Sequence, residues 1–235
     1  MNKIIITGGN GRLAKVLKKY FYGKNISYLD KKKFNILKYK SINNFLKKNK
    51  INTLIHLAGL SRPMNIHETE VEKSIQLNII GTANVVMACR KNNVKLIYLS
   101  TNYVYPCMSG NYKEEDSLKP FNNYGWSKLG GEAAVQMYPN SLILRACITE
   151  KPFIHSKAFS NINSSFIFHD EFAKNFSKIL NKSGIINIGG INQSIYKFAI
   201  KSNPKIKPKK SKIKQKNQSL NIKKFYKIIN KWKLF

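Results

Sequence analysis

Three isoleucines, Ile4–Ile6, run directly into Thr7-Gly8-Gly9-Asn10-Gly11-Arg12-Leu13-Ala14, and apolar residues at helical spacing follow as far as Phe21. A short apolar strand, a glycine turn and a helix in immediate succession constrain this chain more than any other feature. Such a unit buries its apolar surface only by packing beside further units of the same kind. The alternation continues. Lys3–Thr7, Ile26–Leu29, Asn52–Leu57, Lys95–Ser100 and Ser141–Arg145 read as strands, with helices over Arg12–Phe21, Ser41–Asn49, Val71–Lys91 and Tyr124–Tyr138. The expected fold class is α/β, a doubly wound parallel sheet of the Rossmann type. Beyond residue 147 the pattern thins to helices over Glu171–Leu180, Gln193–Ile200 and Asn221–Trp232 and a strand over Gly184–Ile188. The expected organisation is a Rossmann domain over 1–147 and a small lobe over 148–235, partly interleaved with it.

Composition removes several alternatives. With 43% hydrophobic and 11% aromatic residues in 235, the chain carries enough apolar surface for a packed core. It has no apolar run of the roughly 18–20 residues that cross a bilayer. Its first residues read as a strand and not as a signal peptide. Cys89, Cys107 and Cys147 are odd in number, far apart and without metal-ligand spacing, so they are expected to be reduced thiols in a cytoplasmic protein with no metal site. The net charge of +31 invites a nucleic-acid partner, but all of the 42 basic residues except Arg12, Arg62, Arg90 and Arg145 are lysine. Specific base and phosphate contacts favour arginine, so no specific nucleic acid is expected. Residues 172–235 hold 17 lysines and no acid. Within them Pro204–Lys216 reads as a basic loop whose field draws anions inward.

Three motifs carry chemistry. Glycines 8, 9 and 11 between strand and helix allow a pyrophosphate to approach backbone N–H groups at a helix start, with Thr7, Asn10, Arg12 and Leu13 around it. Asp30 lies 22 residues beyond Gly8 at the end of the second strand, where a carboxylate accepts hydrogen bonds from an adenosine ribose. Lys31, Lys32 and Lys33 follow at once and suit a 2′-phosphate equally, so NAD and NADP both stand. Tyr124-Gly125-Trp126-Ser127-Lys128 opens a helix and puts Tyr124 and Lys128 on one face, where an ammonium lowers the pKa of a phenol. Ser100-Thr101-Asn102-Tyr103-Val104-Tyr105-Pro106 ends a strand, and a hydroxyl there can orient a carbonyl.

In this order the motifs resemble the extended short-chain dehydrogenase/reductases, and more narrowly their dTDP-4-dehydrorhamnose reductase-like branch. Leu54–Gly59, Leu77–Val86 and Leu142–Arg145 fit the same pattern, and Lys216–Phe225 is similar to its late substrate-lobe segment. The resemblance implies Thr101, Tyr124 and Lys128 as catalytic residues, with Tyr124 the proton donor. It implies cofactor contacts from Thr7, Gly8, Asn10, Gly11, Arg12, Leu13, Asp30, Leu57, Ala58, Gly59, Asn78 and Ser100, besides Tyr124 and Lys128. Arg62, Tyr103 and Tyr105 are the implied substrate contacts. His56 is expected in the core, and His169-Asp170-Glu171 as a helix cap and not an acid–base cluster. His155, like His169, falls where the likeness is poorest. Ile148–Phe168 is short for the branch, which bears on the sugar pocket.

The implied activity is NAD(P)H-dependent reduction of a nucleotide-linked 4-keto-6-deoxy sugar for polysaccharide biosynthesis. The alternatives are a nucleotide-sugar epimerase or dehydratase and a non-catalytic, cofactor-binding regulatory subunit. A nucleotide sugar is the expected partner, with no membrane and with a homodimer left open.

Overall fold

A computed structural model describes residues 2–214 and 216–230. The Rossmann part runs β1 (Ile4–Thr7), α1 (Arg12–Leu17), β2 (Ile26–Leu29), α2 (Tyr39–Asn49) and β3 (Thr53–His56). It continues through α3 (Ile66–Thr69), α4 (Val71–Ser74), a π turn over Ile75–Ile80, α5 (Gly81–Lys91), β4 (Lys95–Thr101), α6 (Asn123–Gln136) and β5 (Ser141–Ala146). The remainder is built of shorter pieces. They are β6 (Ile148–Thr149), β7 (Lys157–Phe159), β8 (Asn163–Ser164), β9 (Ile167–Phe168), α7 (His169–Asn175), β10 (Gly184–Ile188), β11 (Gln193–Ser194), α8 (Ile195–Ala199), β12 (Lys207–Lys209) and α9 (Lys223–Ile228).

Six parallel strands form the central sheet in the order β10-β5-β4-β3-β1-β2. Because strand side chains alternate, each strand feeds two cores. Ile6, Ile55, Ile97 and Leu142 stand in one row and pack with Leu17, Phe172, Phe176 and Phe225 of α1, α7, the turn after α7, and α9. Ile5, Leu54 and Leu96 stand in the row beside it and pack with Ile42, Leu46, Val85 and Val135 of α2, α5 and α6. Chain order leaves β1 in one direction to β2 and returns on its other side at β3. This opens a crevice at the carboxyl ends of the strands between β1 and β3.

Three expectations change in detail. Val71–Lys91 is not one α-helix: a π turn interrupts it, and α3 and α4 precede that turn. Pro204–Lys216 is not all loop, since β12 pairs in parallel with β7. That ladder closes over a small third core of Phe153, Ala158, Ile162, Ile195, Phe198, Ala199 and Ile206. The last helix is shorter than expected, and the end of its expected span, Lys231–Trp232, lies outside the described residues.

A buried polar chain joins the sheet to the later segments. Glu132 of α6 accepts from Arg145 Nε at 3.0 Å, Nη2 at 2.7 Å and Ser100 Oγ at 2.6 Å. Arg145 Nη1 also donates to the Tyr105 hydroxyl at 2.7 Å, which in turn donates to Asn187 Oδ1 of β10 at 3.0 Å. A buried ion pair of this kind fixes geometry more than it adds stability, because its desolvation offsets the attraction.

Candidate active site

The glycine turn sits at the crevice. Gly8 has φ +69°, and a Cβ there would lie 2.9 Å from the Ala58 nitrogen, so the turn and the end of β3 are pressed together. Thr7 holds them: its hydroxyl accepts the Ala58 N–H at 3.1 Å and lies 2.9 Å from His56 Nδ1. His56 is a core residue, bonded on its other nitrogen to Thr82 at 3.1 Å. Burial, followed by the charge of Lys128, lowers its pKa to about 3. Gly11, with no side chain to cap a helix, stands at the start of α1, and Leu13 is buried under it.

Asn78, at the centre of the π turn, is buried. Its amide accepts the Leu60 N–H at 2.7 Å and donates to the Leu60 carbonyl and to Ser127 Oγ, both at 2.9 Å. It therefore ties the segment after β3, with Leu57, Ala58 and Gly59, to α6.

α6 starts at Asn122, whose side chain accepts the Gly125 N–H at 2.8 Å. Two residues on, Tyr124 places its phenol near the Thr101 hydroxyl at the end of β4. Burial pushes the Tyr124 pKa up, while the nearby Thr101 hydroxyl and the charges of Arg62 and Arg12 pull it down. The cations acting on Tyr124 are the two arginines, whereas Lys128 is buried with Nζ 4.1 Å from the centre of the Tyr98 ring. Burial lowers the Lys128 pKa to about 7, against the pull of Glu132 one turn further along α6. The Tyr103 ring packs edge-on to Tyr124 at 5.9 Å.

Two expected contacts lie elsewhere. Ser100 is buried with its hydroxyl on Glu132, and Tyr105 is buried in the Arg145–Asn187 chain, so in this structure both belong to the polar core. Strand alternation explains Ser100, which points to the opposite face from Thr101.

At the end of β2, Asp30 Oδ1 accepts the Lys33 N–H at 3.0 Å and so closes its own turn. Asp30 lines a cleft of about 620 Å³ with Asn10, Lys31, Lys32, Lys33, Asn35, Lys38 and Ser41.

Sequence reading missed two residues here. His67 of α3 is buried against Tyr124, ring centres 4.9 Å apart, with Nδ1 2.8 Å from Ser74 Oγ. Glu150, just after β6, receives both Arg12 and Arg62. Neither stands in a motif, and only the fold brings them to the site. Among the described residues no group of three or more His, Cys, Asp or Glu is placed to hold a metal ion, and no helix is long and apolar enough to cross a membrane.

Fold and site together define a doubly wound α/β protein of the extended short-chain dehydrogenase/reductase type, with tyrosine, lysine and threonine gathered at the carboxyl edge of its sheet. The chain belongs to the family described as RmlD substrate binding domain, which matches residues 1–149. Among curated relatives, dTDP-4-dehydrorhamnose reductase of Aggregatibacter actinomycetemcomitans is 29% identical over 154 residues, covering 63% of this chain and 52% of the relative. Methionine adenosyltransferase 2 subunit beta of Pongo abelii is 28% identical over 142 residues, 57% of this chain and 42% of the relative. The chain thus spans about half the length of the curated relatives it matches. Among solved structures, dTDP-4-dehydrorhamnose reductase of Bacillus anthracis in complex with NADP superposes with a TM-score of 0.85 at 20% identity, covering 100% of this chain and 98% of that one.

Proposed function

We propose that the protein is an NAD(P)H-dependent reductase of a nucleotide-linked 4-keto-6-deoxy sugar, serving polysaccharide biosynthesis. The observation that carries this reading is Tyr124 close to Thr101, with Lys128 on the same helix face, beside a glycine turn in a chain of the RmlD family. The residues present suit a dinucleotide. Backbones at Gly8 and Ala58 meet too closely for side chains, and Asp30, Ser41 and four lysines surround the cleft at the end of β2.

Reduced nicotinamide, when bound, supplies the hydride to the carbonyl carbon. Tyr124 Oη then gives its proton to the carbonyl oxygen, which becomes the hydroxyl of the product. The Thr101 hydroxyl lies near the phenol and would donate a hydrogen bond to the same oxygen as its charge develops. Burial keeps Tyr124 protonated at neutral pH, as an acid must be. Lys128, whose pKa burial lowers to about 7, stands one turn further along the same helix face. Between the two coenzymes, the reading favours NADP: one Asp30 oxygen is held by its own turn, and the four lysines of the cleft suit a 2′-phosphate.

The test is oxidation of NADPH or NADH on mixing with dTDP-4-keto-6-deoxyhexoses. Tyr124→Phe is expected to lower kcat about 100-fold or more while coenzyme binding is retained. Undiminished turnover in that variant contradicts the mechanism. The resemblance to methionine adenosyltransferase 2 subunit beta favours a second reading, a cofactor-binding regulatory subunit. Bound coenzyme without turnover of any keto sugar would support it. An epimerase or dehydratase would instead retain NAD through purification and consume no reduced coenzyme.

A further inference from the structure

The first turn of α6 is docked on the short helix α3 through two adjacent residues on each side. Asn123, the first residue of α6, donates its backbone N–H to Glu68 Oε1 at 3.2 Å. Its side-chain amide donates to Glu68 Oε2 at 2.7 Å and to the His67 carbonyl at 3.2 Å. Beside it, two rings pack on Tyr124. His67 lies 4.9 Å away between ring centres, tilted by 56°, and Tyr103 lies edge-on at 5.9 Å. Gly125 presses so closely on the Tyr103 carbonyl that a side chain there has no room, which fixes the start of α6 from that side as well.

Histidine is an unusual choice for such a place. His67 is fully buried, with Nδ1 2.8 Å from the hydroxyl of Ser74, itself buried at the end of α4. Its Nε2 is buried with no hydrogen-bond partner among the described residues. An unpaired polar atom in the interior costs free energy that phenylalanine or leucine would avoid, so packing alone does not explain the ring. What the nitrogen adds is direction, because the hydrogen bond with Ser74 fixes the plane of the ring laid on Tyr124. Burial lowers the His67 pKa, against the pull of the Ser61 backbone and the charge of Glu68, so the imidazole is uncharged at neutral pH. It therefore adds no third cation to Arg62 and Arg12, which already draw the phenol toward phenolate.

We propose that His67, anchored by Ser74, is a positioning residue for Tyr124: its ring closes one side of the phenol against water and holds the hydroxyl near Thr101. The inference rests on the reading of Tyr124 as proton donor and deepens it. Burial is the largest influence on Tyr124 and raises its pKa, which keeps the donor in its acid form. Besides His67, the charged groups that act on Tyr124 are Arg62 and Arg12, and its titratable neighbours are Tyr98 and Tyr103. Opening the His67 side admits water, water favours the charged phenolate, and the pKa of Tyr124 falls.

The experiment is NMR of the full chain labelled with carbon-13 at tyrosine Cζ, with the Tyr124 signal assigned through Tyr124→Phe. The ratio of phenolate to phenol at Tyr124 is read near about pH 10, where a tyrosine in water is half ionised. His67→Ala is expected to raise that ratio about tenfold over wild type, and His67→Phe, which restores the wall, to return it close to the wild-type value. In turnover, His67→Ala is expected to lower kcat about tenfold with KM little changed, and to move the alkaline fall of kcat to lower pH. An unmoved ratio in His67→Ala overturns the proposal even where stability drops, since that is what a merely structural residue gives. A ratio in His67→Phe as high as in His67→Ala overturns it too. Should His67→Ala not fold, Ser74→Ala takes its place: a raised ratio supports the proposal and an unchanged one overturns it. The NMR measurement needs no substrate, so a wild type that reduces no keto sugar defeats the reductase reading without being confused with a failure of this one.

Discussion

At the scale of single residues, the chemistry turns on which charges reach which atoms. The lysines at the end of β2 have no catalytic part in the proposed reading, but that reading gives them the choice of coenzyme. Alanine at Lys31, Lys32 and Lys33 together removes three cations from the cleft while leaving the Lys33 backbone N–H on Asp30. NADPH is then expected to bind about tenfold or more weakly, with NADH little changed, as measured by fluorescence of the bound coenzyme. Equal losses for the two coenzymes contradict a 2′-phosphate contact. Tyr124, Lys128 and Thr101 were legible because a four-residue helical spacing and a strand end are local features. The electrostatics were less so. Spacing brings Lys128 onto the face of Tyr124, but it does not reveal that Nζ lies over Tyr98 while two distant arginines supply the field at the phenol.

At the scale of elements, the π turn over Ile75–Ile80 is the least legible part of the fold. An i→i+5 turn uses the same residue types as the α-helix around it, so nothing in the pattern from Val71 to Lys91 announces it. Its effect is to carry Asn78 to a place where one amide serves both the Leu60 backbone and Ser127. Read as a motif residue, Asn78 was expected at the cofactor, and in this structure its amide bonds Leu60 and Ser127. Asn78→Ala leaves the Leu60 N–H and carbonyl without their partner and is expected to cost about 1–3 kcal/mol in urea unfolding. Asn78→Asp keeps the acceptor for the Leu60 N–H and should lose less. The six sheet strands were readable because each is an apolar run bounded by turn residues. β6, β7, β8, β9, β11 and β12, two or three residues each, were not, since they exist only through partners far away in sequence.

At the scale of the molecule, a charge of +31 acts on anything that approaches. Residues 172–235 supply 17 lysines and no acid, and from this stretch α7, β10 and α9 pack against the central sheet. A nucleotide sugar is anionic, so its capture should depend on salt. Raising ionic strength from about 20 to about 200 mM shortens the screening length severalfold, and KM for the keto sugar is expected to rise several-fold while kcat holds. A KM indifferent to salt would show that the lysines only solvate the surface.

The same arrangement bears on what can be cut away. All six residues of β5 are buried, and β10, from the less legible part of the chain, pairs with it from Gly184 to Ile188. A fragment ending at Thr149 would keep nearly every motif and still present the whole outer edge of β5 unpaired, with Arg145 stripped of the link through Tyr105 to Asn187. Bare edges of that kind recruit one another, so such a fragment would precipitate as intermolecular sheet. The stretch that carries the ancestry of this protein depends for its solubility on the stretch where that ancestry has faded most.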